Sequence, residues 1–162
     1  MAHCIYLTED EIKLAKQNQV FIAHCPDSNM NLSSGIAPVR TYLNQELKMG
    51  LGSDVAAGDS LSIFKMMTEA VKVSKLLWRL QDQNLTPLSI DEAFYLGTKG
   101  GGEFFGKVGS FEEGYEFDAV VIDDASLEHP QPLTLKQRLE RVIYLSDDRN
   151  LVSKYVEGIK II

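Results

Sequence analysis

The sequence predicts an α/β fold of parallel strand–helix units, followed by a segment of different character. Three observations carry this. Short apolar runs alternate with segments of helical period from Met1 to about Phe105, the rhythm of a parallel sheet with short connections. Each of the first three apolar runs leads into a polar group, at His3, His24 and Asp54. Near Gly106 that rhythm gives way to the turn-rich run Gly109-Ser110-Phe111-Glu112-Glu113-Gly114, which divides the chain into residues 1–105 and 106–162.

Met1 to Ile5 reads as a short buried strand. Thr8-Glu9-Asp10-Glu11 is a capping box that opens a helix, with Ile12, Leu14 and Ala15 as its apolar positions. Val20-Phe21-Ile22-Ala23 is a second strand, ended by the turn-rich Cys25-Pro26-Asp27-Ser28-Asn29. A helix is expected from Pro38 to Lys48, with Gly50 as the glycine just past its end, and Leu51-Gly52-Ser53 as a third strand leading into Asp54. Leu61 to Leu80 has the spacing of a long amphipathic helix. Ser89 to Phe105 is expected to be another, weakened or broken in its later turns by Gly97 and Gly100-Gly101-Gly102. Those glycines are not followed by the Lys-Ser/Thr of a phosphate loop.

Beyond Gly106, Asp118 to Asp123 reads as a strand and Leu133 to Arg141 as a helix. Lys154 to Ile162 reads as a strand or tight hairpin turning at Glu157-Gly158. So few strands do not make an independently stable sheet, and partner strands from elsewhere are expected. The opening strand has no polar lead-in either, so the chain is expected to begin inside a fold whose N-terminal portion lies in front of Met1.

The chain has 162 residues, 44% of them hydrophobic, and a formal net charge of −7. That charge argues against a nucleic-acid partner, which demands a surplus of Lys and Arg. No apolar run approaches the ~20 residues that span a bilayer, and no membrane association is expected. Cys4 and Cys25 lack CxxC spacing and are expected to be buried, reduced thiols, which places the protein in the cytoplasm.

The chemistry is expected at the strand ends. Asp54, after an apolar run and before Ala56-Ala57-Gly58, is either a helix N-cap or a carboxylate partnered by a metal ion, since burying it unpaired is unfavourable. His3 is a rim histidine or a satisfied core histidine. His24 is expected to orient its loop by hydrogen bonding, and Ser28 and Asn29 to form turns, with pocket lining as their second role. His129, beside Pro130, is expected at the surface.

The ordered set Met1-Ala2-His3-Cys4, His24-Cys25-Pro26-Asp27-Ser28-Asn29 and Gly50-Leu51-Gly52-Ser53-Asp54 resembles the ends of barrel strands six, seven and eight in the amidohydrolase superfamily. Asn31-Leu32-Ser33-Ser34-Gly35 and Tyr144-Leu145-Ser146-Asp147-Asp148-Arg149-Asn150 are most similar to its guanine deaminase branch. The run Gly109 to Val121 resembles the segment where these enzymes return to a small β-sandwich domain. The resemblance covers essentially the whole chain. It implies the C-terminal part of a (β/α)8 TIM-like barrel, strands six to eight with their helices, plus strands of that small domain.

The resemblance also implies a metal-dependent deamination of guanine to xanthine and ammonia. Asp54 would be metal ligand, proton carrier and substrate contact; His3 would orient the attacking water; His24, Ser33 and Ser34 are further candidates for pocket contact. The metal would be Zn²⁺, with Fe²⁺ as the alternative, and the partner a small purine base, in an enzyme that is a homodimer when complete. The family's first-strand His-x-His pair, its strand-five His and its His-x-x-Glu carboxylate have no counterpart in this sequence. The chain by itself is therefore expected to be inactive. Two other readings stand beside this one: a sister amidohydrolase acting on another amino-heterocycle, and a non-catalytic interaction module.

Overall fold

Side-chain caps set where the helices begin. In the computed structural model, which describes residues 1–162, Thr8 and Glu11 close a capping box on α1 (Glu9–Gln17). Ser62 caps α4 (Ile63–Leu80), while Ser89 with Glu92 and Thr134 with Gln137 close boxes on α5 (Ile90–Gly97) and α7 (Leu135–Leu145). Each box satisfies backbone N–H groups that a helix start otherwise leaves unpaired.

Between these helices run β1 (Ile22–His24) and β2 (Met49–Leu51), paired in parallel with Ile22 opposite Met49 and His24 opposite Leu51. Ala2 bridges to Ala23, also in parallel. The expected strand Met1–Ile5 is thereby reduced to one bridge. His3 and Cys4 turn into the left-handed region, at φ 65° and 47°, and cannot continue a ladder that needs extended backbone. The third strand lies two residues earlier than expected.

The two intervening helices also depart from expectation. Pro26–Asn31 is a short helix, α2, with Pro26 in its first turn, where the missing N–H is harmless. Helix α3 spans only Val39–Asn44. Glu46, at φ 58°, takes the left-handed position expected of Gly50, and the Leu47 N–H bonds to the Tyr42 carbonyl while Glu46 N–H bonds to Leu43. That is a Schellman ending without glycine.

The helix expected from Ser89 to Phe105 breaks at Thr98 into α5 and the single turn α6 (Lys99–Gly102). Gly50 sits where a Cβ would come within 2.5 Å of the Gly101 Cα. Two glycines therefore let β2 and α6 touch backbone to backbone.

The core lies between the parallel strands and helices α1, α3, α4 and α5. Tyr42, Ile22, Met67 and Leu96 are fully enclosed. The Tyr42 hydroxyl donates to the Cys4 carbonyl, and burial holds its pKa up at about 12. Cys4 and Cys25 are both buried free thiols. Ile143 of α7 joins the same core, so α7 anchors the C-terminal segment to α4.

That segment ends in an antiparallel sheet ordered β3-β4-β5, comprising Ala119–Ile122, Leu151–Val156 and Ile159–Lys160. Glu157 and Gly158, at φ 51° and 78°, form the tight turn. The strands thus pair with one another, β4 beginning three residues before the sequence suggests. Val120, Val121, Val152 and Ile159 are nonetheless exposed. No helix is long and apolar enough to cross a membrane.

Arg40 ties α3 to the start of α5. Its guanidinium forks onto both Glu92 oxygens at 2.7 and 2.8 Å and donates to the Thr86 and Pro87 carbonyls. The Arg40 hydrogen bonds hold the Glu92 carboxyl down at about 2. Because this pKa is depressed, the stability it contributes is complete above the ordinary value of 4.5 and is lost as the pH falls towards about 2. Arg40→Ala is expected to destabilise the fold by about 1–2 kcal/mol, allowing for the water that reaches Glu92. Thermal melts should show it at pH 7 and show the gap narrowing below pH ~4. Arg40→Lys should recover little, since an ammonium cannot make the fork.

Candidate functional site

The ends of the three parallel segments bring His3 and Asp54 together. Ala2 pairs with Ala23, β1 with β2, and the chain leaves each segment on the same side. His3 Nε2 lies 3.8 Å from Asp54 Oδ2, with both side chains about two-fifths open to solvent, at 40% and 38%. Both residues are left-handed, Asp54 at φ 48°. Non-glycine residues held there carry strain of about 1–3 kcal/mol and concentrate at functional sites.

Asp54 caps no helix. Its carbonyl accepts from the Ala57 and Gly58 N–H groups, closing a turn, and the next helix, α4, is capped by Ser62. Its carboxylate accepts instead from Ser28, Oγ to Oδ2, at 2.5 Å.

Helix α2 supplies most of the remaining contacts. Asn29 Oδ1 lies 2.9 Å from His3 Nδ1. Asp27 Oδ2 accepts the Asp59 N–H at 2.8 Å, and Asn31 Nδ2 donates to the Ala57 carbonyl at 2.6 Å. Gly58 is pressed into this clamp, where a Cβ would lie 2.4 Å from the Ser53 carbonyl oxygen. Four polar residues of one short helix, Asp27, Ser28, Asn29 and Asn31, thus hold His3, Asp54 and the loop after Asp54.

Ser28 and Asn29 are therefore not the turn formers expected of them. The readable signal was the polar run Asp27-Ser28-Asn29 set directly behind a buried strand. All three side chains are buried, and buried polar groups require partners.

His24 also departs from expectation. It is 1% exposed, and neither ring nitrogen has a hydrogen-bond partner within the chain, so it does not orient the loop by hydrogen bonding. Burial first, and the nearby His3 second, push its pKa down to about 4, leaving a neutral imidazole. The Asn29 amide nitrogen is a second buried polar atom without a partner here. Burial, then the Asp54 charge, pushes the Cys25 thiol up, so it is a poor nucleophile.

Ser33 is exposed at φ 56°, and Ser34 meets Tyr6 through its carbonyl, at 2.8 Å. Neither hydroxyl bonds to His3 or Asp54. His129 is exposed and bonds only within its own loop, to Gln131.

The donor chemistry of Asp54 suits one position of a divalent cation site. The chain does not complete such a site: no group of three or more His, Cys, Asp or Glu side chains is gathered to hold a metal ion, and zinc normally takes three or four protein ligands.

The chain is similar to the guanine deaminase of Dictyostelium discoideum, 42% identical over 168 residues that cover 99% of this chain and 37% of that protein. It superposes on a crystal structure of guanine deaminase from C. acetobutylicum with guanine bound in the active site, with a TM-score of 0.95 and 53% identity, covering 100% of this chain and 38% of that one. An adenosine deaminase from Xanthomonas campestris, solved with bound zinc, superposes with a TM-score of 0.80 at 27% identity, covering 98% of this chain and 36% of that one. The chain thus spans well under half the length of the proteins it matches. The model of the amidohydrolase family matches residues 1–160; the chain belongs to the amidohydrolase family.

Proposed function

We propose that this chain is part of a guanine deaminase, which hydrolyses guanine with one water to xanthine and ammonia. The observation that carries this reading is the Asp54 carboxylate facing the His3 imidazole across 3.8 Å at the ends of parallel strands. The likeness to guanine deaminases over the whole chain supports it. In this reading the three parallel segments are strands six to eight of the barrel, and β3-β4-β5 belongs to the small β-sandwich domain.

The reaction forms a C–O bond from water and breaks the C–N bond to the exocyclic amine. Asp54 accepts a proton from the attacking water and returns it to the departing nitrogen, as a positioned carboxylate can. His3 Nε2, on the same rim, orients that water. A divalent cation, zinc or iron, would take Asp54 as one ligand beside donors from outside this chain and, when bound, would acidify the attacking water. Free buried thiols fit a reducing cytoplasm.

The test is a substrate panel. The complete enzyme, this chain joined to the remainder of the barrel, is expected to release ammonia from guanine in preference to adenine, adenosine, cytosine and an aminotriazine. Preference for another amine would move it to a sister activity, the reading that the adenosine deaminase superposition favours second. No release from any member, with metal supplied, would leave an interaction module.

A further inference from the structure

Asn29 and Ser28 touch the two rim residues from one rigid support, and their contacts decide which atoms those residues present. Ser28 is fully enclosed and Asn29 is 2% exposed. Both belong to α2, whose start is set by Pro26 and whose far end is tied by Asn31 to the Ala57 carbonyl. Neither side chain can swing away without leaving a buried polar group unpaired.

We propose that Asn29 and Ser28 are the positioning residues of this site, Asn29 by fixing the tautomer of His3 and Ser28 by fixing the rotation of the Asp54 carboxylate. An amide oxygen only accepts, so Asn29 Oδ1, 2.9 Å from Nδ1, requires the ring proton on Nδ1. In the neutral ring Nε2 then carries the lone pair, and Nε2 is the atom directed at Asp54. A lone pair there accepts a hydrogen bond from water on the rim; the opposite tautomer would offer Asp54 an N–H and close the gap between them. Ser28 donates to Oδ2, the same oxygen that faces His3. The hydroxyl thus holds Oδ2 in place and with it the rotation of the carboxylate. The catalytic consequence rests on the deaminase reading; the tautomer does not.

The experiment is solid-state NMR of the complete enzyme with ¹⁵N-labelled histidine, the His3 signals being assigned by their loss in His3→Gln. The wild-type protein is expected to carry the neutral-ring proton on Nδ1 of His3. Asn29→Asp, which keeps an acceptor oxygen, should retain it there, and Asn29→Leu should shift it towards Nε2. In turnover, Asn29→Leu and Ser28→Ala should each lower kcat by ~10–100-fold, the range for lost supporting contacts, with KM changing far less. Ser28→Thr should recover part of the loss. A proton on Nε2 in the wild type, or one unmoved in folded Asn29→Leu, overturns the proposal. Should Asn29→Leu not fold, the wild-type and Asn29→Asp spectra decide. A Nδ1 proton in a protein inert towards guanine supports the positioning role and removes only the deaminase reading.

Discussion

Asp54→Ala in the complete enzyme is expected to lower kcat for guanine by ~10⁴-fold or more, to the edge of detection, because one carboxylate would lose both its proton-transfer and its cation-binding roles. Asp54→Asn is the cleaner control. Asparagine visits the left-handed region more readily than most residues, so it tolerates φ 48°, and it can still accept from the Ser28 hydroxyl. It removes the charge and the proton acceptor while leaving the loop in place. Asp54→Asn should melt within a few degrees of the wild type, and Asp54→Ala somewhat lower, since it leaves the enclosed Ser28 hydroxyl without its partner. Near-normal ammonia release by folded Asp54→Asn would remove Asp54 from the chemistry and with it the proposed function.

His3→Ala is expected to lower kcat by ~10²–10⁴-fold, the usual range for losing a positioned acid–base group. The smaller effect follows from the proposed roles: His3, 3.8 Å from Asp54, would only orient the water, whereas Asp54 would take its proton. His3→Ala should also free Asn29 Oδ1, leaving one more buried polar atom unpaired. Some loss of stability should accompany the loss of rate. Initial rates beside thermal melts separate the two. A His3→Ala enzyme with unchanged kcat would place the water-orienting group elsewhere.

Much of the local structure could be read from the chain because its causes are local. Capping boxes at Thr8 and Ser89 involve residues three apart, and the Glu157-Gly158 turn is a matter of two adjacent φ angles. The helix ends were harder to read. Gln19 and Glu46 adopt the left-handed conformation that sequence rules reserve for glycine, since Schellman bonds and the burial of the next strands outweigh a modest steric penalty. The first strand shrank to one bridge because His3 and Cys4 take φ of 65° and 47°, which the extended backbone of a ladder does not allow.

By itself the sequence determined the α/β rhythm, most helix starts and the polar residues at the strand ends, since hydrophobic period and capping act within a few residues. Only the tertiary structure decided that Ser28 and Asn29 serve Asp54 and His3, each from 26 residues away, and that His24 lies buried without a hydrogen bond. Such pairings are set by which strand lies beside which. A parallel sheet joins strand ends that are remote in sequence, and no local pattern records which buried polar group finds which partner.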